Sequence, residues 1–403
     1  MRSPVPALSV LVGVIMVSSA QAQSLVVQQV VDSVNIDSMV WYDQRLSGEV
    51  PVNVGNGDET ISSRYQSNAG NVLASTWLQQ QFIALGYTPE VPIFGTTGAN
   101  IIAEKLGVTH PERKVVICAH YDDMPGGPVV APGADDNGSG VCAVLEAARI
   151  MAGHSFANTI VFALWDQEEQ GSIGSAYYAS VAGGNNVEIT AVVNMDAIGY
   201  DGNGDGLLRI YTGPVANSEA IKDSALMVND TYGLNLPIAI NDPGSTFSDH
   251  ASFWAEGYGA IMIGQDYTND LNPHYHTPTD SLHYMDLEYW HGLARLAIGT
   301  AAVLAEPVDS ISGIEPVQGD PSAFHLRVFP NPATTSLTVH CEGLVTAPIR
   351  LEIIDAWGRS RMQEVLVGKQ DRVLDIHDLP MGSYAIRATG SSWMSVARFT
   401  RMP

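Results

Sequence analysis

The sequence predicts two domains of different class: an α/β/α sandwich with a mixed, largely parallel sheet, followed by a small all-β sandwich. Three observations predict this. Apolar strands alternate with amphipathic helices over nearly 200 residues, from about residue 115 to 304. The alternation stops near Glu306, where a stretch rich in Pro, Gly, Ser and acids gives way to short β-like runs with turn punctuation. The charge divides the same way. Of 19 Lys+Arg and 43 Asp+Glu, residues 23–312 hold 9 and 34, whereas residues 313–403 hold 9 of each. At 45% hydrophobic residues the chain of 403 has enough apolar content for packed cores, which excludes wholesale disorder. A net charge of −24 argues against partners that present phosphate backbones or anionic membranes.

The elements follow in order. Residues 1–22 read as a secretory signal peptide: Arg2, then an apolar run from Ala7 to Val17 too short to span a bilayer, then a small-x-small site at Ala20-Gln21-Ala22. Residues 23–306 form the main domain, and 23 to about 107 are its approach, with a helix over Val72–Leu85 stopped by Gly86. Strands are expected at Val115–Ala119, Thr159–Trp165, Ile189–Met195 and Tyr258–Ile263. Helices are expected at Gly140–Met151, Ser218–Asn229 and Tyr284–Leu304. Residues 307–322 read as a linker, and 323–403 as the β-sandwich, with runs at His325–Phe329, Ser336–His340, Ile349–Ile354, Arg372–Ile376, Tyr384–Ala388 and Val396–Thr400. The three cysteines lack any CxxC spacing, and Cys118 and Cys142 read as small core residues.

In open α/β folds, functional groups collect just past the C-terminal ends of strands. Five segments put ionisable residues there. His120-Tyr121-Asp122 ends the first strand, and an Asp two residues from a His suits a metal ligand oriented through its second nitrogen. Asp135-Asp136 precedes a helix, where capping is the commoner role, although adjacent like charges favour a cation. Glu168-Glu169 follows a fully apolar strand, and two glutamates there suit separate tasks: one binds metal, the other serves as a general base. Asp196 ends a buried strand, where an unpaired charge is costly. His274-Tyr275-His276 lies in a loop after Asn272-Pro273. Singly, each segment reads as structural. Together, two His, two Asp and one Glu suffice for two zinc sites sharing an Asp. No GxxxxGK[ST], GxGxxG or GxSxG motif competes.

The segments CAHYDD, APGADDNGSG, WDQEEQGSIGS, NMDAIG, SDHASF and NPHYHTPTD, spanning Cys118 to Asp280, resemble the di-zinc aminopeptidases of the bacterial leucyl aminopeptidase type, metallopeptidase family twenty-eight. The resemblance implies a zinc-exopeptidase fold and two Zn2+. His120 and Asp196 would hold one, Glu169 and His276 the other, and Asp136, four residues before Gly140, would bridge them. It implies that Asp122 orients His120 and that Glu168 is the general base. Tyr275 sits where some members have an oxyanion-stabilising tyrosine. Asp249 and His250 would brace the site or cap a helix, and His274 has no assigned role.

The C-terminal stretches VFPNPATTSLTVHCEG, LEIIDAWGRSRMQEV and LDIHDLPMGSYAIRATG resemble the sorting domain of type IX secretion substrates. That implies export through outer-membrane secretion machinery, to a secreted or surface-attached state, with no transmembrane segment in the mature chain. The expected activity is hydrolysis of the N-terminal peptide bond of peptides with a free N-terminus. Three alternatives remain: a single-zinc glutaminyl cyclase-like enzyme, a carboxypeptidase of the same family, and a non-catalytic receptor or adhesin. The cyclase fits less well with His120 intact beside Asp122. A carboxypeptidase needs a cation, for which Arg209 is the candidate, and a receptor does not need a complete set of competent ligands.

Overall fold

Runs of β-branched and aliphatic residues form the central strands, and their period of two divides the core into layers. In the computed structural model, residues 24–308 are described except 67 and 128, as are residues 324–401 except 332, 344–348, 356–359, 367–370 and 390–393. The expected signal peptide and nearly all of the expected linker lie outside the described residues. Contacts divide the chain into two units, Met1–Asp309 and Ser310–Pro403.

The first unit opens with helices α1 (Leu25–Asp32), α2 (Ile36–Leu46) and α3 (Ala69–Ala84). There follow β1 (Ile101–Lys105), β2 (His110–His120), α4 (Gly140–Met151), β3 (Asn158–Trp165), α5 (Ile173–Gly184) and β4 (Glu188–Asp196). Then come β5 (Leu208–Tyr211), α6 (Ser218–Thr231), β6 (Ile238–Asn241), α7 (His250–Ala255), β7 (Ala260–Gly264) and α8 (Leu287–Leu304). The seven strands form one sheet in the order β6-β5-β7-β4-β2-β3-β1. The pairs β2–β3, β2–β4, β4–β7 and β5–β6 are parallel, whereas β1–β3 and β5–β7 are antiparallel. The sheet is therefore mixed and mostly parallel.

Alternate residues of a strand point to opposite faces. Val115, Ile117 and Ala119 of β2 join a core built with α1–α4, α6 and α8. Val116 and Cys118 join a second core with Ala179 of α5 and Phe253 of α7. Both faces of the central strands are covered, which is why they read as continuous apolar runs. Cys118 and Cys142 are buried free thiols, and burial pushes both well above their ordinary pKa.

Three strands differ from the sequence expectation. β1 lies in the stretch read as the approach, and β5 and β6 are only four residues long, too short for a periodic signal. The long C-terminal helix starts at Leu287, after a 3-10 turn at Leu282–Tyr284, because Asp286 caps it and accepts from the N–H groups of Glu288 and Tyr289.

The second unit contains two antiparallel sheets. One orders β8 (Phe324–Phe329), β9 (Ser336–Gly343) and β12 (Arg372–Asp375) as β8-β9-β12. The other orders β10 (Ile349–Asp355), β11 (Ser360–Leu366), β13 (Gly382–Thr389) and β14 (Met394–Arg401) as β11-β10-β13-β14. Leu337, Val339, Leu351, Ile353, Ile386 and Phe399 fill its core. Strand β11 escaped the sequence reading because SRMQEVL lacks an apolar alternation.

Candidate metal centre

The C-terminal ends of β2 and β4 are neighbours in a parallel register that pairs Cys118 with Asn194. Two residues further on, this brings His120 beside Asp196. The His120 side chain is 1% exposed, with Nε2 3.3 Å from Asp136 Oδ1 and 3.5 Å from Asp196 Oδ1. Its Nδ1 lies 3.2 Å from the Asp122 carbonyl oxygen and 3.5 Å from Asp122 Oδ1. The Asp122 carboxylate also accepts from the backbone N–H groups of Glu168 (3.0 Å) and Glu169 (3.3 Å). It thus ties the loop after β2 to the loop after β3.

Asp135 and Asp136 sit in an irregular turn, Ala134–Ser139, ahead of α4. Neither caps the helix, contrary to the commoner role of such a pair. They point different ways. Asp135 accepts from the Gly199 N–H and from Asn272 Nδ2, both at 2.8 Å. Asp136 points both oxygens at histidines: Oδ1 at His120 and Oδ2, at 3.0 Å, at His276 Nε2. The Asp280 carboxylate accepts from the N–H groups of both aspartates and fixes the turn.

His276 comes from the loop after β7. Its Nε2 is 2.9 Å from Glu169 Oε2, and its side chain is 34% exposed. The Tyr275 ring stacks on it at 3.8 Å. Four non-glycine residues around these loops, Gln167, Ser172, Ala197 and His276, have φ between 41° and 61°. Such left-handed residues are sparsely populated and collect at functional sites.

Two groups of donor atoms emerge, each within 4.8 Å: His120, Asp136 and Asp196; and Asp136, Glu169 and His276. Their donor set fits a metal. Zinc bonds of 2.0–2.2 Å in a tetrahedron require ligand atoms about 3.3–3.6 Å apart. The contacts given above run from 2.9 to 3.5 Å. Asp136 Oδ2, Glu169 Oε1 and His276 Nε2 are buried without a well-aligned hydrogen bond, and the ion-pair distances of His276 to Asp136 and Glu169 leave acceptor capacity that a bound cation would take up. A buried charge left unpaired costs several kcal/mol.

The electrostatics follow from this crowding. Burial lowers the affinity of His276 for a proton, but the carboxylates of Asp136 and Glu169 outweigh it and push its pKa up to about 10. Burial and the charge of Asp136 push Glu169 up to about 8. Burial holds Glu168 well above the ordinary carboxyl range. Its Oε1 accepts from Ser172 Oγ at 3.1 Å. Glu168, Glu169, Tyr275 and His276 line one end of a cleft of about 570 Å3.

Several residues near the site carried no sequence signal. Tyr267 donates its hydroxyl to Asp196, 3.1 Å from the carbonyl oxygen and 3.3 Å from Oδ1. Arg64 is fully buried and donates to the carbonyls of Leu46, Tyr121, Pro132 and Gly133, pinning the loops that carry Asp122 and Asp136. Other predicted residues fall outside the cleft. His250 is buried with Nε2 2.8 Å from the Ser245 carbonyl, and burial lowers it to about 4. Asp249 precedes α7 but makes no side-chain cap. His274 stacks on Tyr284 with Nδ1 2.8 Å from Thr279 Oγ1.

Comparison with known proteins accords with this geometry. Peptidase family M28 matches residues 100–301, and the secretion system C-terminal sorting domain matches residues 327–399. Leucine aminopeptidase 1 of Trichophyton equinum is 31% identical over 267 residues, covering 61% of this chain and 71% of that protein. The fold resembles that of the LapA aminopeptidase of Legionella pneumophila, with a TM-score of 0.59 and 22% identity over 70% of this chain and 75% of that one. It also resembles the glutaminyl cyclase of Porphyromonas gingivalis, with a TM-score of 0.51 and 20% identity over 66% of this chain and 98% of that one.

Proposed function

The chain belongs to peptidase family M28 and carries a secretion system C-terminal sorting domain, and from this premise we propose that it is an exported di-zinc aminopeptidase with Glu168 as general base. The observation that carries the reading is the pair of three-residue donor groups joined at Asp136. His120 and Asp196 would hold one zinc and Glu169 and His276 the other, with Asp136 available to both. When bound, the zinc pair polarises the scissile carbonyl and acidifies water. Glu168 takes the proton from the attacking water at its carboxylate and hands it to the leaving amine. Ser172 holds Glu168 Oε1 in place for this transfer. The Tyr275 hydroxyl donates to the developing oxyanion. Asp122 fixes His120 and, through two N–H groups, the Glu168-Glu169 turn.

Charge favours the amino end of the substrate over the carboxyl end. No Lys or Arg lines the cleft among the described residues. Arg209, the candidate cation for a carboxypeptidase, is engaged by Asp266 and by Asn241 Oδ1. A terminal carboxylate therefore has no Lys or Arg to pair with in the cleft among the described residues. The sorting domain directs the chain to secretion or to attachment at the cell surface.

The test compares release of the first residue from unblocked and N-acetylated peptides, with zinc counted per chain. The reading expects two zinc ions, cleavage of the unblocked peptide alone, and loss of turnover in chelator. One zinc with cyclisation of N-terminal glutamine would move the chain to the cyclase alternative. Equal cleavage of both peptides would end the exopeptidase reading.

A further inference from the structure

The cleft continues away from the donor atoms between the start of α5 and the length of α7. Its walls are small: Gly171 and Ala176 on one side, Ala251 and Ala255 on the other. Among the described lining residues Phe247 is the one large apolar side chain besides Tyr275. Phe247 is 42% exposed and braced edge-on by Tyr211 and Tyr267, each at 5.3 Å. Glu256, exposed and one residue past the end of α7, also lines the cleft, with its carboxylate against Gly183 near the end of α5.

We propose that this arm of the cleft receives a long basic side chain at the substrate's N-terminal residue, lysine or arginine, with Glu256 binding its terminal cation. The proposal rests on the aminopeptidase reading above. Length is the first argument. From Ala251 to Glu256 the helix rises about 7 Å at roughly 1.5 Å per residue. An extended lysine or arginine reaches about 6–7 Å from its Cα, and leucine about 4 Å. Leucine leaves the outer part of the small-walled groove unfilled. Charge is the second argument. Among the described residues no lysine or arginine lines the cleft to neutralise Glu256, and the surrounding unit is strongly acidic. The third is the face of Phe247, on which a cation passing along the groove gains a further attraction.

The test measures kcat/KM of the full-length zinc-loaded protein on lysyl, arginyl, leucyl and norleucyl 4-nitroanilides. Norleucine has lysine's chain without the charge. The expected result is a lysyl-to-norleucyl ratio of about two to five, the scale of one partly exposed ion pair. Glu256→Gln should bring that ratio near one, and Glu256→Lys below one. A ratio near one in the parent protein, or one that Glu256→Gln leaves in place, overturns the proposal while the aminopeptidase reading stands. Failure to hydrolyse any of the four overturns both.

Discussion

The two donor groups that share Asp136 are held in different ways. His120 and Asp196 end neighbouring parallel strands, and their side chains are 1% and 7% exposed. Their separation is fixed by strand spacing and register, so any sequence forming this sheet brings them together. Glu169 and His276 come from loops after β3 and β7, and the His276 side chain is 34% exposed. Their meeting depends on what holds the loops: Asp122 under Glu169, Asp280 under the Asp136 turn, and the Tyr275 ring against His276. The closed group is set by the sheet, whereas Glu169 and His276 of the open group line the cleft.

The largest expected effect comes from removing what joins the two groups. Asp136→Asn should lower metal content in both and reduce turnover roughly ten-thousandfold or more, because linked catalytic parts fail together. Zinc analysis beside kinetics checks this, and retention of both zincs with near-normal activity would break the comparison. Glu168→Gln separates holding metal from using it. It should keep its zinc and lose roughly 10^2- to 10^4-fold in kcat. If zinc is lost with activity, Glu168 belongs to the ligand set instead. Tyr275→Phe probes the open side alone, with an expected fall in kcat of about a hundredfold or less at unchanged metal content. An unchanged kcat would restrict Tyr275 to stacking on His276.

The smallest effect sharpens the closed side. Asp249 is buried with both carboxylate oxygens unpartnered, and burial pushes it from 3.8 up to about 7. The fold therefore keeps a proton on Asp249 that the unfolded chain gives up. Its contribution is neutral below about pH 3.8, becomes destabilising as pH rises through that window, and is fully unfavourable above about pH 7. Asp249→Asn should raise Tm by a few degrees at pH 8.5 in chelator and change it little at pH 4. An equal change at both values would show that ionisation is not what Asp249 costs the fold.

Legibility in the sequence followed the same divide. His120, Asp136, Glu168, Glu169 and Asp196 lie at the end of a patterned strand or just ahead of a patterned helix, but their roles, and His276 in its loop, were legible only through the family resemblance of the six segments taken together. The residues that hold them were not legible. Arg64 sits 57 or more residues from three of the carbonyls it binds, and nothing around it in the chain distinguishes it from a solvated arginine. Tyr267 reaches Asp196 across 71 residues. The antiparallel edge strand β1 was missed because IIAEK is short and amphiphilic at one end only.

The sequence by itself determined the layered α/β unit, the β-rich C-terminal unit and the types of residue at the strand ends. It did so because burial writes its period directly into neighbouring residues. The tertiary structure alone decided that Asp135 turns into Gly199 and Asn272. It also decided that Asp122 serves the glutamate turn as well as His120, and that Glu256 lines the same cleft as Glu168 and Glu169. These are contacts between residues remote in the chain. Their energy depends on orientation and on distances of a few ångströms, which no local pattern encodes.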